Sequence, residues 1–171
     1  MEIYSIEDKR LQLKYKGTHG TINRISWRKE NDDKHMIACG GRNGDISIHE
    51  IKFQKEETIF LDVNKCNYIL KGHEKGITSL SWCPTEIDKL VSVSLDGFLK
   101  VWNIKSGEMV SSINFNEGRL YSVFWSRLDS NIIFTGSEDQ VVKLWKLSDT
   151  IETSSPLSLD LKKKKKSNNQ P

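Results

Sequence analysis

What this sequence lacks narrows it before any motif is read. No run of apolar residues approaches the roughly 20 needed to cross a bilayer. The stretch from Met1 to Tyr15 is charged throughout rather than built like a secretory signal. No membrane partner and an intracellular setting are therefore expected. Cysteine is scarce: Cys39, Cys66 and Cys83 are odd in number and widely spaced, with no C-x-x-C pair or nearby histidine to suggest zinc. They read as reduced thiols, and no metal is expected. No stretch of ten or more residues keeps a helical period. Phosphate-binding glycine loops, H-E-x-x-H and nucleophile elbows are also missing, and Gly40-Gly41-Arg42-Asn43-Gly44 falls at a strand turn rather than before a helix. No enzyme, cofactor or small-molecule substrate is expected.

A charge of one sign is lacking too. The formal net charge is +3, but five of the 26 basic residues form the run Lys162 to Lys166. Without them, 21 basic residues face 23 acidic ones, a net charge of −2. Nucleic-acid binding by the body would have to rest on a local patch.

What is present is a repeat. Ile77-Thr78-Ser79-Leu80-Ser81-Trp82 lines up with Leu120-Tyr121-Ser122-Val123-Phe124-Trp125, and Leu99-Lys100-Val101-Trp102 with Val142-Lys143-Leu144-Trp145. Both tryptophan pairs are 43 residues apart, within the ~40–45 of a four-stranded propeller blade. An earlier copy, Ile22-Asn23-Arg24-Ile25-Ser26-Trp27, precedes its counterpart by 55 residues. Its extra residues, about twelve, fall between Phe53 and Asn64 and read as a surface loop. Short β-type runs, 36–39, 89–93 and 131–135, end in Asn43-Gly44, Asp96-Gly97 and Glu138-Asp139-Gln140, residues suited to hairpin turns. The expected fold is all-β.

Gly72-His73, Ser94-Leu95-Asp96-Gly97 and Lys100-Val101-Trp102-Asn103 resemble the WD-repeat signature, with Asn103 in place of the usual aspartate. The third copy is similar at Gly136-Ser137-Glu138-Asp139 and Trp145-Lys146, although Gly118 stands where the histidine would be. The first copy is the most degenerate, with His19, Asn43 and His49 at the histidine, aspartate and tryptophan positions. The resemblance implies a β-propeller of about three four-stranded blades over 11–147, an incomplete ring, with a blade remnant at 2–6. It also implies a buried structural network of His73, Ser92, Asp96 and Trp102, continued in the third copy by Asp139 and Trp145. Because propellers close with about four to eight blades, the chain is expected to be part of a larger protein.

The repeat gives all five tryptophans places in blades, so core packing is expected for each, leaving Tyr121, Phe98 and Tyr68 freer to face a ligand. By the same resemblance, the loops entering each first strand and the turn between the second and third strands lie on the usual ligand face. They supply Asn23, Arg42, Lys75, Arg119 and Tyr121, cations beside an aromatic that suit a phosphate backbone and stacked bases. The bland alternative is a solvated rim. The segment 148–171, rich in Ser, Thr and Lys, reads as a disordered tail. Its lysine run is either solvated or a nuclear-localisation or nucleic-acid patch.

Beyond the signature, Thr21 to Trp27, the long first-copy insertion, Lys71-Gly72-His73 and Arg119 to Ser126 resemble the last blades of tandem-propeller subunits of small nuclear ribonucleoprotein assembly. That likeness implies a non-catalytic cytoplasmic and nuclear scaffold that meets protein partners of a multi-subunit complex and single-stranded or small nuclear RNA. The alternative is a protein-only adaptor of a ubiquitin-ligase or trafficking complex.

Overall fold

In a computed structural model, residues 21–30, 34–51, 66–115 and 118–147 are described with their side chains, and 2–4, 11–16, 52, 59–62 and 157–159 by their backbone. Three four-stranded antiparallel sheets follow one another along the chain. The first blade contains β3 (Ile22–Lys29), β4 (Lys34–Gly41), β5 (Ile46–Lys52) and β7 (Tyr68–Leu70). The second contains β8 (Ile77–Trp82), β9 (Lys89–Ser94), β10 (Phe98–Asn103) and β11 (Glu108–Asn114). In the third are β12 (Leu120–Trp125), β13 (Ile132–Ser137), β14 (Val142–Lys146) and β15 (Leu157–Leu159). A separate three-stranded sheet has the order β1 (Glu2–Tyr4), β2 (Leu11–Lys16), β6 (Ile59–Asp62). Among the described residues no helix is long and apolar enough to cross a membrane.

The period of two along each strand decides where the core forms, because alternate side chains leave opposite faces of a sheet. In the middle blade Leu90 and Trp102 face one way and join Met36, Ala38, Ile46, Ile48, Leu70 and Ile77. Val91, Val93, Leu99 and Val101 face the other way and join Leu120, Val123, Trp125, Ile133 and Trp145. The apolar cores thus lie between blades, and each blade is stabilised mainly by its neighbours.

The hairpin turns follow the sequence. Gly44 and Gly97 sit at φ +92° and +84°, where an L side chain is strained. At the same place in the third blade, Gln140 adopts φ 65°.

Two expectations change. The insertion of the first copy is not only loop: Ile59–Asp62 forms β6, paired parallel with β2 from Leu13↔Ile59 to Lys16↔Asp62. Within the expected disordered tail, Leu157–Leu159 pairs antiparallel with Val142–Leu144. In both places a short run rich in apolar residues meets the edge of an existing strand, and main-chain hydrogen bonding rewards its ordering. Lys162 to Lys166 and His19 lie outside the described residues.

Candidate functional site: a buried polar network and a bulged rim

The middle blade holds a closed chain of hydrogen bonds. The Trp102 indole Nε1–H donates to Ser92 Oγ at 2.8 Å, Ser92 Oγ lies 2.7 Å from His73 Nε2, and His73 Nδ1 lies 2.8 Å from Asp96 Oδ2. The backbone N–H groups of Glu74 and Phe98 also donate to the Asp96 carboxylate, at 2.9 Å each. Burial pushes the His73 pKa below its ordinary value of 6.5 despite the nearby Asp96. Burial alone would raise Asp96, but the Phe98 amide, His73 and the Glu74 amide hold it below its usual range. A neutral imidazole beside a carboxylate fixes the proton order. Nδ1–H donates to Asp96, and Nε2 accepts from the Ser92 hydroxyl, which accepts from Trp102. Although the Ser, His and Asp have the spacing of a catalytic triad, Ser92 is 0% exposed and its oxygen is already shared with an indole.

The other two blades solve the same problem with different residues. In the third, the Trp145 indole donates to Thr135 Oγ1 at 2.9 Å. Among the described residues no histidine partners Asp139, and Lys143 Nζ lies 2.9 Å from its Oδ2. Burial would raise Asp139, yet hydrogen bonds from the Ser137 hydroxyl, the Val141 amide and Lys143 bring its pKa to about 2. Lys100, the matching residue of the second blade, instead donates to the Gly72 carbonyl at 2.6 Å. In the first blade His49 lies 3.0 Å from Ser47 Oγ, and Cys39 stands at the Ser92 position, its thiol pushed up to about 12 by burial. Both lysines precede a strand tryptophan by two residues, a recurrence visible in the repeat that sequence reasoning did not use.

The rim is built by bulges. Each inner strand slips register at its second residue, between Ile22 and Arg24, Ile77 and Ser79, and Leu120 and Ser122. The extra residues are Asn23, Thr78 and Tyr121, and a bulge re-aims the side chain it carries. Asn23 Nδ2 donates to the Ile77 carbonyl at 3.3 Å, and Thr78 Oγ1 donates to the Leu120 carbonyl at 2.6 Å, so the three strand starts are tied in a row. Arg42, Lys75 and Arg119 are exposed beside them. A Cβ on Gly76 would lie 3.0 Å from Asn23 Nδ2 and 3.1 Å from the Arg42 carbonyl, which places Asn23, Arg42 and the Lys75 loop together. Arg119 and Tyr121 flank Leu120, one blade along. Thr78 is the rim residue that sequence reasoning missed, although it aligns with Asn23 and Tyr121. Of the aromatics expected to be free, Tyr121 is 46% exposed on this rim, Phe98 is half-buried beneath Lys100, and Tyr68 lies on an outermost strand.

One tryptophan departs from core packing. Trp82, Trp102, Trp125 and Trp145 are buried, whereas Trp27 is 41% exposed. Trp82 occupies the same repeat position, and its indole donates to the Ser26 carbonyl of the preceding blade at 3.1 Å. The described residues include no complete blade before Trp27, and its indole donates to His35 Nδ1 at 3.2 Å.

Comparison with known proteins agrees with the repeat. The model of the WD domain, G-beta repeat, matches residues 64–103 and 107–146. Human Gem-associated protein 5 is 30% identical over 96% of this chain, which spans 12% of that protein's length. Protein Notchless of Drosophila melanogaster is 35% identical over 48% of the chain and 17% of its own length. Among solved structures, the β-propeller domain of Myceliophteria thermophila Cps50 (Swd1) superposes with a TM-score of 0.65 at 18% identity, covering 89% of this chain and 42% of that one. With the hydrogen-bonded network and the blade order, these likenesses show that the chain belongs to the WD-repeat family.

Proposed function

We propose that the chain is a non-catalytic binding scaffold whose bulged rim takes a single-stranded RNA segment while its blades meet protein partners. The setting is small nuclear ribonucleoprotein assembly in the SMN complex, in the cytoplasm and nucleus. The observation that carries this reading is the triple bulge, which turns Asn23, Thr78 and Tyr121 onto one rim beside three exposed cations. A stacking aromatic among cations suits a nucleic-acid backbone and its bases. The resemblance to Gem-associated protein 5 supports the assembly setting.

The test is titration with single-stranded RNA at two salt concentrations. Tyr121→Ala is expected to lose about 1–3 kcal/mol of binding through lost stacking. Lys75→Ala and Arg119→Ala should each flatten the dependence of affinity on salt by about one phosphate contact. Deleting Lys162 to Lys166 is the control, because a lysine run attracts any polyanion. A second reading, a protein-only adaptor, is favoured by the body's net charge of −2. It becomes the better one if RNA affinity vanishes with the lysine run while the rim variants bind normally.

A further inference from the structure

We propose that Arg24 is the phosphate-binding residue that sets the register of an RNA strand on the rim, an inference that rests on the rim's being an RNA site. The bulges supply its mount. A bulge leaves its extra residue out of the ladder, so the carbonyls of Asn23 and Thr78 are open to a side chain. Arg24 takes both: its Nε donates to the Thr78 carbonyl at 2.6 Å, and its Nη1 to the Asn23 carbonyl at 3.0 Å. The guanidinium is thereby fixed across the junction of the first and second blades, between two of the three bulge residues.

Holding two blades together does not require a charge. At the matching positions of the other copies stand Ser79 and Ser122, and Ser79 Oγ reaches the Val123 carbonyl of the next blade at 3.4 Å. The charge of Arg24 is surplus to the junction. Arg24 is exposed, and among the described residues no carboxylate pairs with it and its Nη2 has no partner. Its planar fork therefore keeps N–H donors for an anion while its stem is already fixed. Lys75 and Arg119 reach the same rim without a side-chain hydrogen bond to any described residue. They must be ordered when they bind, an entropic cost that is absent for Arg24.

A base site lies on the same row. Thr78, whose carbonyl holds Arg24, donates its hydroxyl to the Leu120 carbonyl at 2.6 Å, and the next residue is the exposed Tyr121. A fixed cation and a stacking ring on adjoining inner strands match the alternation of phosphate and base along a single strand. A peptide carboxylate would use the arginine and leave the ring idle. Because the guanidinium cannot swing away without breaking both carbonyl bonds, a phosphate held there decides which base meets Tyr121. Lys75 and Arg119 add attraction at no fixed point.

The test uses the 171-residue protein and a short single-stranded RNA of mixed sequence, with copies in which one phosphate at a time is replaced by an uncharged methylphosphonate. Titration of the parent should show one linkage whose neutralisation weakens binding by about tenfold, the scale of one charge-assisted contact. Arg24→Gln should weaken binding of the unmodified RNA by a similar factor and be indifferent to that linkage. Arg24→Lys, which keeps the charge but not the planar fork, should keep the dependence on salt and spread the loss over several linkages. Thermal melts show which variants retain the fold, and Arg24→Lys carries the comparison if Arg24→Gln unfolds. Equal loss at every linkage in the parent overturns the proposal without any variant. A folded variant with the parent's affinity and linkage profile overturns it too, and leaves the rim as an RNA site if Tyr121→Ala still weakens binding. A parent that binds no RNA removes both. Oligoglutamate that binds the parent, loses that binding in Arg24→Gln and is not displaced by RNA would give Arg24 to an acidic protein partner instead.

Discussion

Replacing Ser92 by alanine isolates the contribution of the buried network, because it removes one oxygen and leaves almost no cavity. Ser92 Oγ is the only link between the Trp102 indole and His73 Nε2 in the network, and both side chains are buried. Each orphaned buried group costs about 1–3 kcal/mol, so the pair should lose about 2–6 kcal/mol. At about 2–4 °C per kcal/mol for a chain of this size, the melting temperature should fall by on the order of 10 °C. The third blade supplies the comparison. Thr135→Val orphans the Trp145 indole alone and should cost about 1–3 kcal/mol, less than Ser92→Ala in the same background. Urea denaturation followed by tryptophan fluorescence measures both, with His73→Ala and Ser92→Ala combined to show that their costs do not add. A Ser92→Ala loss smaller than that of Thr135→Val, or strict additivity with His73→Ala, would refute the view that these atoms act as one unit.

Other consequences are equally measurable. Because burial holds His73 below 6.5, its folded form binds fewer protons than the unfolded chain below that pH. Its stabilisation is complete above 6.5 and is lost as pH falls toward the lower folded value. Melting temperatures from pH 8 to 5 should therefore drop more steeply in the parent than in His73→Gln, and equal slopes would contradict this. Asp96 and Asp139 act in a separate window, stabilising above their ordinary 3.8 and losing that contribution as pH falls through their lowered values. Gln140→Gly should stabilise by about 0.5–1 kcal/mol in urea, since it relieves an L residue at φ 65°. Gly44→Ala should cost upwards of about 2 kcal/mol, because the backbone is at φ +92° and the new Cβ would overlap the His73 carbonyl.

The repeat made much of this legible in advance. Spacing of 43 residues between matched tryptophans, period-two strands and Asn-Gly or Asp-Gly turns already specify four-stranded blades, because each rests on contacts between neighbours in sequence. His73, Ser92, Asp96 and Trp102 were assignable from the signature, and the Trp102–Ser92 hydrogen bond follows from the meander that pairs β9 with β10.

Other features depended on distant partners. No local pattern distinguishes Trp27 from Trp82, since the burial of each depends on what the preceding blade places beside it. The strand at Ile59–Asp62 forms against β2, far along the chain. Lys143 becomes the partner of Asp139 only where the fold places no histidine. Composition and periodicity could determine strands, turns and the repeat because these are local. Register slips and blade junctions needed the tertiary structure, because their energies come from surfaces that meet only after folding.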